Sequence, residues 1–430
     1  MFRIKYKPLQ LFIVYMLFTL ILSVYGPIHY VDYEFAVVVL YVLVYMVLFA
    51  VAYIYGVNKI RRVRFYTVSS GKYKLVMKAI KLSLIISTAY YIILLVVFLA
   101  GGGSFDVSKA GQSYVDLYAD YERGSGSHSL QFISSIFVHP FYMISLILGS
   151  YYFFDLSKSY KTMLLAIIII ELMVNAVGYG KMKYVGDLII FISIAGIVRS
   201  YGSKNVNGKV IASVFSLGVV GIIILVYLLH LRYAAMDIGF NNIASKSHPL
   251  MNYETQGLLA EFEFGFAIAA LSQYITQGWY GLSLALQLPF VWTYGFGNSY
   301  SMMIVYDRFL FGESLLDLSY PYRVGEAFGW GDRQDKWYSW FTWVASDVSF
   351  LGVLLLAIPM GYVYGTTWRE SVEYRNPVSI FLFSLLTLGL VFLPANNQLL
   401  HTPNGVLVFF IAVLMWVFTK HRFNFISDHQ

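Results

Sequence analysis

The sequence contains no cysteine and little charge. Without cysteine, disulfides and thiolate-bound metals are excluded, and the absence says nothing about compartment. Charged residues are 12% of the 430, against about 25% in a soluble globular chain. With 59% hydrophobic residues and a mean hydropathy of +0.66, this excludes both a water-soluble enzyme and a disordered chain. No His, Asp and Glu cluster has metal-ligand spacing, and neither a GxxxxGKS/T nor a GxSxG pattern occurs. No metal, nucleotide or other cofactor is therefore expected. No repeat period and no similarity between the two halves is visible. Met1 to Gln10 is basic, but no small-residue cleavage site follows, so the next apolar run reads as a first span rather than a removed signal.

What is present is a series of long apolar runs, such as Leu82 to Ala100 and Ile211 to Leu229. Each approaches the ~20 residues that cross a bilayer core. Spans are predicted near 9–25, 35–56, 82–100, 130–154, 162–178, 184–198, 210–231, 344–366, 378–395 and 405–419. The fold class is an all-α polytopic membrane protein with about ten spans, or twelve if the segment between spans seven and eight holds two more. With the N-terminus inside, two thirds of the 30 basic residues fall on inside segments, accompanied there by Asp155, Glu370, Glu373 and Asp428 alone among acids. This follows the positive-inside bias and places both termini in the cytoplasm. The net charge of +7 is thus an orientation signal rather than a nucleic-acid signal.

The chain then divides into an N-terminal bundle (1–231), a large external segment (232–343) and C-terminal helices (344–430). The external segment is net acidic, and its apolar stretches Leu258 to Ala270 and Tyr280 to Trp292 are short, so they read as interfacial or re-entrant helices. Six of the eight tryptophans lie there: Trp279, Trp292, Trp330, Trp337, Trp340 and Trp343, with Tyr280, Tyr294 and Tyr338 among the tyrosines. Two readings stand. One is an interfacial aromatic belt; the other is sugar binding, in which aromatic faces pack on pyranose C–H faces.

Cations on the outer side are disfavoured, and each needs a compensating partner. Arg232 follows the apolar run of span seven, where it is either a snorkelling anchor or a ligand for phosphate. Arg323 and Arg333 lie in Gly-containing stretches, Arg333 with Asp332 and Asp335 beside it. Lys181 and Lys183 occupy the short turn after Gly178 and Gly180, a plain solvated turn or a phosphate cradle using backbone N–H groups. Asp347 opens span eight as either a helix cap or a functional acid. Glu171 is the one acid well inside a predicted span, and His401 sits in the last outer loop.

Several stretches together resemble one family. Arg232-Tyr233 ends a span and opens the long outer loop. Gln273-Tyr274, Gln277-Gly278-Trp279-Tyr280-Gly281-Leu282-Ser283 and Tyr294-Gly295-Phe296-Gly297-Asn298-Ser299 lie within it. Trp340-Phe341-Thr342 leads to Ser346-Asp347-Val348-Ser349-Phe350-Leu351-Gly352-Val353 and a span ending in Gly361 and Gly365. The chain is similar in these to the Wzy-type oligosaccharide repeat-unit polymerases of O-antigen and capsule synthesis. The resemblance implies a GT-C glycosyltransferase of the bacterial cytoplasmic (inner) membrane. It would polymerise undecaprenyl-pyrophosphate-linked oligosaccharides at the outer face without a metal, either alone or with a polysaccharide chain-length regulator. It implies Arg232, Arg323 and Arg333 around the leaving pyrophosphate, and Lys181 and Lys183 where relatives often carry an arginine. His230, Asp347, Glu326 and His401 remain open as the base. A lipid-linked oligosaccharide flippase and an O-antigen ligase are the alternatives.

Overall fold

A computed structural model of the chain describes residues 2–59, 70–122, 130–202, 208–243, 248–307, 314–331 and 336–419. Its principal helices are α1 (Lys7–Tyr25), α2 (Phe35–Asn58), α3 (Ser70–Ala100), α4 (Ala110–Glu122), α5 (Leu130–Tyr151), α6 (Lys158–Glu171), α7 (Lys183–Gly202) and α8 (Gly208–Ala235). They continue with α9 (Gly265–Ala285), α10 (Tyr300–Tyr306), α11 (Tyr320–Phe328), α12 (Trp340–Glu373), α13 (Pro377–Phe392) and α14 (Pro403–Thr419). Two three-residue strands, β1 (Ile28–Tyr30) and β2 (Met251–Tyr253), pair antiparallel with Ile28 opposite Tyr253.

Among the described residues, eight helices are long and apolar enough to cross a membrane: those within Lys7–Tyr25, Phe35–Asn58, Gly71–Ala100, Ile133–Tyr151, Lys158–Gly178, Lys183–Gly202, Ala212–Ala235 and Trp340–Glu373. Each lies on a predicted span, and the shorter apolar helices α13 and α14 lie on the last two. Their outward faces are apolar: Val14, Phe18 and Ile21 on α1, and Ile222 and Ile223 on α8, are all more than half exposed. A helix wet on that face loses ~25 cal/mol for each Å² of apolar surface left in water. Hydrocarbon removes that cost, so the chain is an all-α polytopic membrane protein.

The segment 232–343 differs from expectation. The two short runs predicted at Leu258 to Ala270 and Tyr280 to Trp292 give way to one helix, α9, preceded by a single turn at Leu258–Glu261. Thr276, Gln277 and Ser283 interrupt the apolar pattern, yet all three are buried. Thr276 and Ser283 donate back to the carbonyls of Ser272 and Tyr280, which satisfies hydroxyls inside a packed helix. The sequence reading left Thr276 and Gln277 between its two apolar runs and Ser283 within the second.

The chain folds as two compact units. One comprises residues 1–61, 240–369 and 385–409; the other comprises 62–239, 370–384 and 410–430. In the first, α2 and α12 approach closely along a small-residue stripe. A Cβ on Gly361 would lie 2.3 Å from the carbonyl oxygen of Phe49, and one on Gly365 would lie 2.5 Å from that of Tyr53. Small residues four apart provide such contact where lipid gives helices no hydrophobic reason to associate. α12 itself is broken at Ser349, whose φ of 61° and ψ of 168° are non-helical. The segment ending at Val348 and the segment opening at Phe350 are thus two helices meeting at Ser349.

In the second unit, Ala110, Ala176, Met182, Val185 and Leu228 form a buried cluster that ties α4, α7 and α8 to the end of α6. There α6 widens into a π-helical turn, Leu172–Gly178, a form concentrated at functional positions. Glu370 is a buried anchor in this unit, accepting from Ser379 Oγ at 2.6 Å and Trp416 Nε1 at 2.9 Å.

Candidate functional site

Arg232 lies in the last turn of α8, where a cation meets the negative end of the helix. Its guanidinium carbon stands 3.3 Å from the ring centroid of Tyr114 on α4. α4 reaches it because residue 111 is glycine: a Cβ there would lie 2.3 Å from the carbonyl oxygen of Leu231. Nε of Arg232 is buried without a hydrogen-bond partner, and among the described residues no carboxylate lies within ion-pair distance of this side chain. A guanidinium stacked on a phenol keeps its N–H edge for another acceptor. The stacking contributes about 0.5–2 kcal/mol without neutralising the charge.

The Lys181 turn belongs to the same unit. Gly180 has φ +63°, and a Cβ on it would lie 2.7 Å from Cβ of Tyr114, so the turn and Arg232 share one tyrosine. Lys181 is half-buried, with Nζ 5.2 Å from the Tyr179 ring centroid. Burial pulls its pKa down from the ordinary value, and the Glu171 carboxylate opposes that shift. Lys183 is exposed. The phosphate cradle considered for this turn is corrected in one respect: Tyr179 N–H donates to the Val174 carbonyl and Lys181 N–H to that of Asn175, at 2.9 and 2.8 Å. These two amides close the wide turn of α6 and are spent there.

Glu171 is fully buried, and its Oε2 accepts from Asn175 Nδ2 at 3.1 Å, with Tyr91 as a further hydrogen-bond partner. Asn175, four residues on, is a polar partner that its surroundings in the sequence, Leu172-Met173-Val174-Asn175-Ala176, did not advertise. His230 is half-buried on α8, two residues from Arg232. At about 100° per residue the two project on roughly opposite sides of the helix, so it is not a companion of that guanidinium.

In the other unit Asp347 accepts four hydrogen bonds. Thr293 Oγ1 donates to Oδ1 at 2.6 Å and Gly297 N–H to Oδ1 at 2.9 Å; Asn298 donates to Oδ2 from both N–H and Nδ2, each at 2.7 Å. This carboxylate fastens the loop Thr293–Ser299, in which Tyr294 and Gly295 both have positive φ. Thr293 Oγ1 also lies 2.7 Å from the Ser346 carbonyl, so its one proton is shared between that oxygen and the carboxylate. Asp347 therefore enters as a positioning residue. Thr293, one of its partners, was not singled out from sequence, and Asn298 entered only within the stretch of residues 294–299.

The aromatic sugar platform is largely corrected. Trp279, Tyr280, Trp330 and Tyr338 are buried. Trp279 Nε1 donates to Thr19 Oγ1; Tyr280 stacks on Tyr30 at 4.8 Å and meets Trp330 edge-on; Tyr338 donates to the Trp330 carbonyl at 2.6 Å. With both faces covered by protein, these rings are core. Tyr294, 55% exposed beside the equally open Trp292, and half-buried Trp337 remain accessible. Arg323 donates from Nη1 to the Pro289 carbonyl at 2.9 Å and lies against Tyr320. It belongs to the unit that holds Asp347, whereas Arg232 belongs to the other. Arg333 lies outside the described residues.

Comparison of the chain with protein-family models, with curated proteins and with solved structures found no match.

Proposed function

We propose that the chain is a membrane glycosyltransferase that polymerises undecaprenyl-pyrophosphate-linked oligosaccharide repeat units at the outer face of the bacterial cytoplasmic membrane. An acceptor hydroxyl attacks the anomeric carbon of the donor glycan; the bond from that carbon to the lipid pyrophosphate breaks, and its electron pair leaves with the pyrophosphate. The observation that carries the reading is the Arg232 guanidinium, held on Tyr114 with a buried, unpartnered Nε and no carboxylate counter-charge among the described residues. A planar cation kept in this state suits a diphosphate, which accepts paired N–H bonds. Lys181 supplies a second positive charge in the same unit. Such fixed charge aimed at a leaving anion is worth 10²–10³ in rate in comparable sites.

Complementation tests it. A host lacking the gene and given Arg232→Ala should accumulate single repeat units while the variant inserts at wild-type level. Polymer of normal length from that variant would reject the reading.

A second reading, transport of the same lipid-linked glycans, draws on Glu171. An ionisable group buried in a spanning helix at a π-helical turn is a feature of transport pathways. Purified protein in liposomes separates the two, because only a polymerase lengthens the glycan.

A further inference from the structure

Residues 264–306 contain no Asp, Glu, Lys, Arg or His. Within them the loop 286–299, between α9 and α10, turns three aromatic side chains to the surface: Phe290 at 45%, Trp292 at 54% and Tyr294 at 55% exposure. Single exposed apolar residues are ordinary, but rings at alternate positions of an uncharged loop form a patch. The Trp292 and Tyr294 rings stand 4.9 Å apart.

The loop is pinned at both ends. At one, Arg323 Nη1 donates to the Pro289 carbonyl at 2.9 Å and Tyr320 Oη to that of Leu288 at 3.4 Å. At the other, Thr293 N–H donates to the Ser346 carbonyl at 3.2 Å, and Asp347 accepts from Gly297 and Asn298. Tyr294 has a left-handed φ of 56°, which a bulky residue adopts rarely and at a cost. Buried hydrogen bonds thus hold a strained tyrosine and its aromatic neighbours outward.

The surface that continues from the patch identifies its partner. Ser346, to which the loop is tied, lies roughly a turn and a half of helix before Leu351. Leu351, Leu355 and Ile358 follow at helical spacing as one exposed face of α12. α2 runs beside it there: Tyr41 Oη donates to the Phe350 carbonyl at 2.8 Å, and Leu40 and Val44 are exposed in turn. Both helices are long and apolar enough to cross a membrane, so these faces meet hydrocarbon. The three rings stand where that apolar surface ends, at the headgroup depth that Trp and Tyr favour.

We propose that Phe290, Trp292 and Tyr294 are a membrane-interface anchor: they insert among the phospholipid headgroups of the leaflet bordering the start of α12. The anchor fixes the height of the Asp347-held loop relative to the bilayer. It rests on the spanning helices alone and holds whatever reaction the chain performs.

The absence of cysteine makes the test direct. Full-length Trp292→Cys carrying a nitroxide is reconstituted in vesicles of phosphatidylcholine and phosphatidylglycerol. Leu351→Cys serves as the hydrocarbon reference, and Glu326→Cys, exposed on α11, as the aqueous one. The label at 292 should collide with oxygen more, and with a water-soluble nickel chelate less, than the label at 326, and should read shallower than the label at 351. Nickel accessibility at 292 equal to that at 326 overturns the anchor. So does a label open to nickel in these vesicles and shielded only on adding lipid-linked glycan or host membrane proteins, because the rings then serve another partner. If the labelled variant aggregates, wild type and Trp292→Phe are compared in vesicles whose lipids are brominated near the top of the acyl chains. The difference in their emission is that of Trp292, and the bromines should quench it. Trp292 emission that the bromines leave unchanged overturns the proposal.

Discussion

Asp347 and Asn298 are joined twice: the backbone N–H and the side-chain amide of Asn298 both donate to Oδ2 of Asp347 at 2.7 Å. The carboxylate thereby holds a loop 49 residues away in sequence. Replacing it with a neutral amide keeps the shape but turns one acceptor into a donor facing donors. Asp347→Asn should lower stability by a few kcal/mol, since each buried donor stripped of its acceptor costs about 1–3 kcal/mol. Chymotrypsin should then cut after Tyr294 or Phe296 faster than in wild type. Equal cutting rates would show that the loop stands without this anchor.

Tyr114 supports Arg232 by its ring face rather than its hydroxyl. Tyr114→Phe should therefore retain polymer length, whereas Tyr114→Leu should shorten it. Arg232→Lys should not restore function, because an ammonium has neither the flat face nor the paired N–H edge. Complementation scored on polyacrylamide gels reads all three.

Lys181 lies outside the spans, and its pKa is lowered from 10.5 by burial, against the pull of Glu171. A lowered lysine loses its charge sooner as pH rises. Inhibition by inorganic pyrophosphate should weaken through the alkaline range below 10.5, and Lys181→Arg should flatten that decline. Stability moves the other way. The unfolded lysine binds its proton more tightly, so this residue's contribution opposes folding at neutral pH and the opposition fades as pH climbs towards 10.5. Inhibition curves and melting curves measured across the same pH series check both signs.

Trp279 and Trp292 test the division between core and surface. Trp279 is fully buried, so Trp279→Ala should cost about 3–5 kcal/mol through the cavity it leaves. Trp292 is 54% exposed, and Trp292→Ala should melt within a degree or two of wild type. Thermal unfolding in one detergent compares them directly.

Gly365→Leu should be among the most damaging substitutions in α12. Its side chain would meet the carbonyl oxygen of Tyr53 at 2.5 Å, and backbone cannot move aside as a side chain can. Loss of a monodisperse peak on gel filtration would report it.

The spanning helices were legible because hydrophobic length is a one-dimensional property: Leu82 to Ala100 announces itself without any neighbour. The fate of the aromatic residues was not. Trp279 and Trp292 have the same chemistry in the same segment, and contacts with residues remote in sequence, Thr19 and Phe341 among them, make the first a core residue. Arg232 was legible because a cation after an apolar run on the outer side demands a partner, though Tyr114 as that partner was not. Asp347 was visible as an unusual acid, but its role depends on Thr293, Gly297 and Asn298, whose closeness arises from the loop fold. Chain patterns report hydrophobic length well and report partnership between remote residues poorly.

The interleaving of the two units separates the order of synthesis from the order of assembly. Residues 1–61 emerge first, yet their companions at 240–369 follow only after 62–239, which belong to the other body. The opening hairpin must wait in the bilayer, unmatched, while a foreign set of helices is threaded past it. Gene truncation from either end therefore withholds material from one of the two bodies, and no contiguous fragment can deliver one of them whole without carrying part of the other.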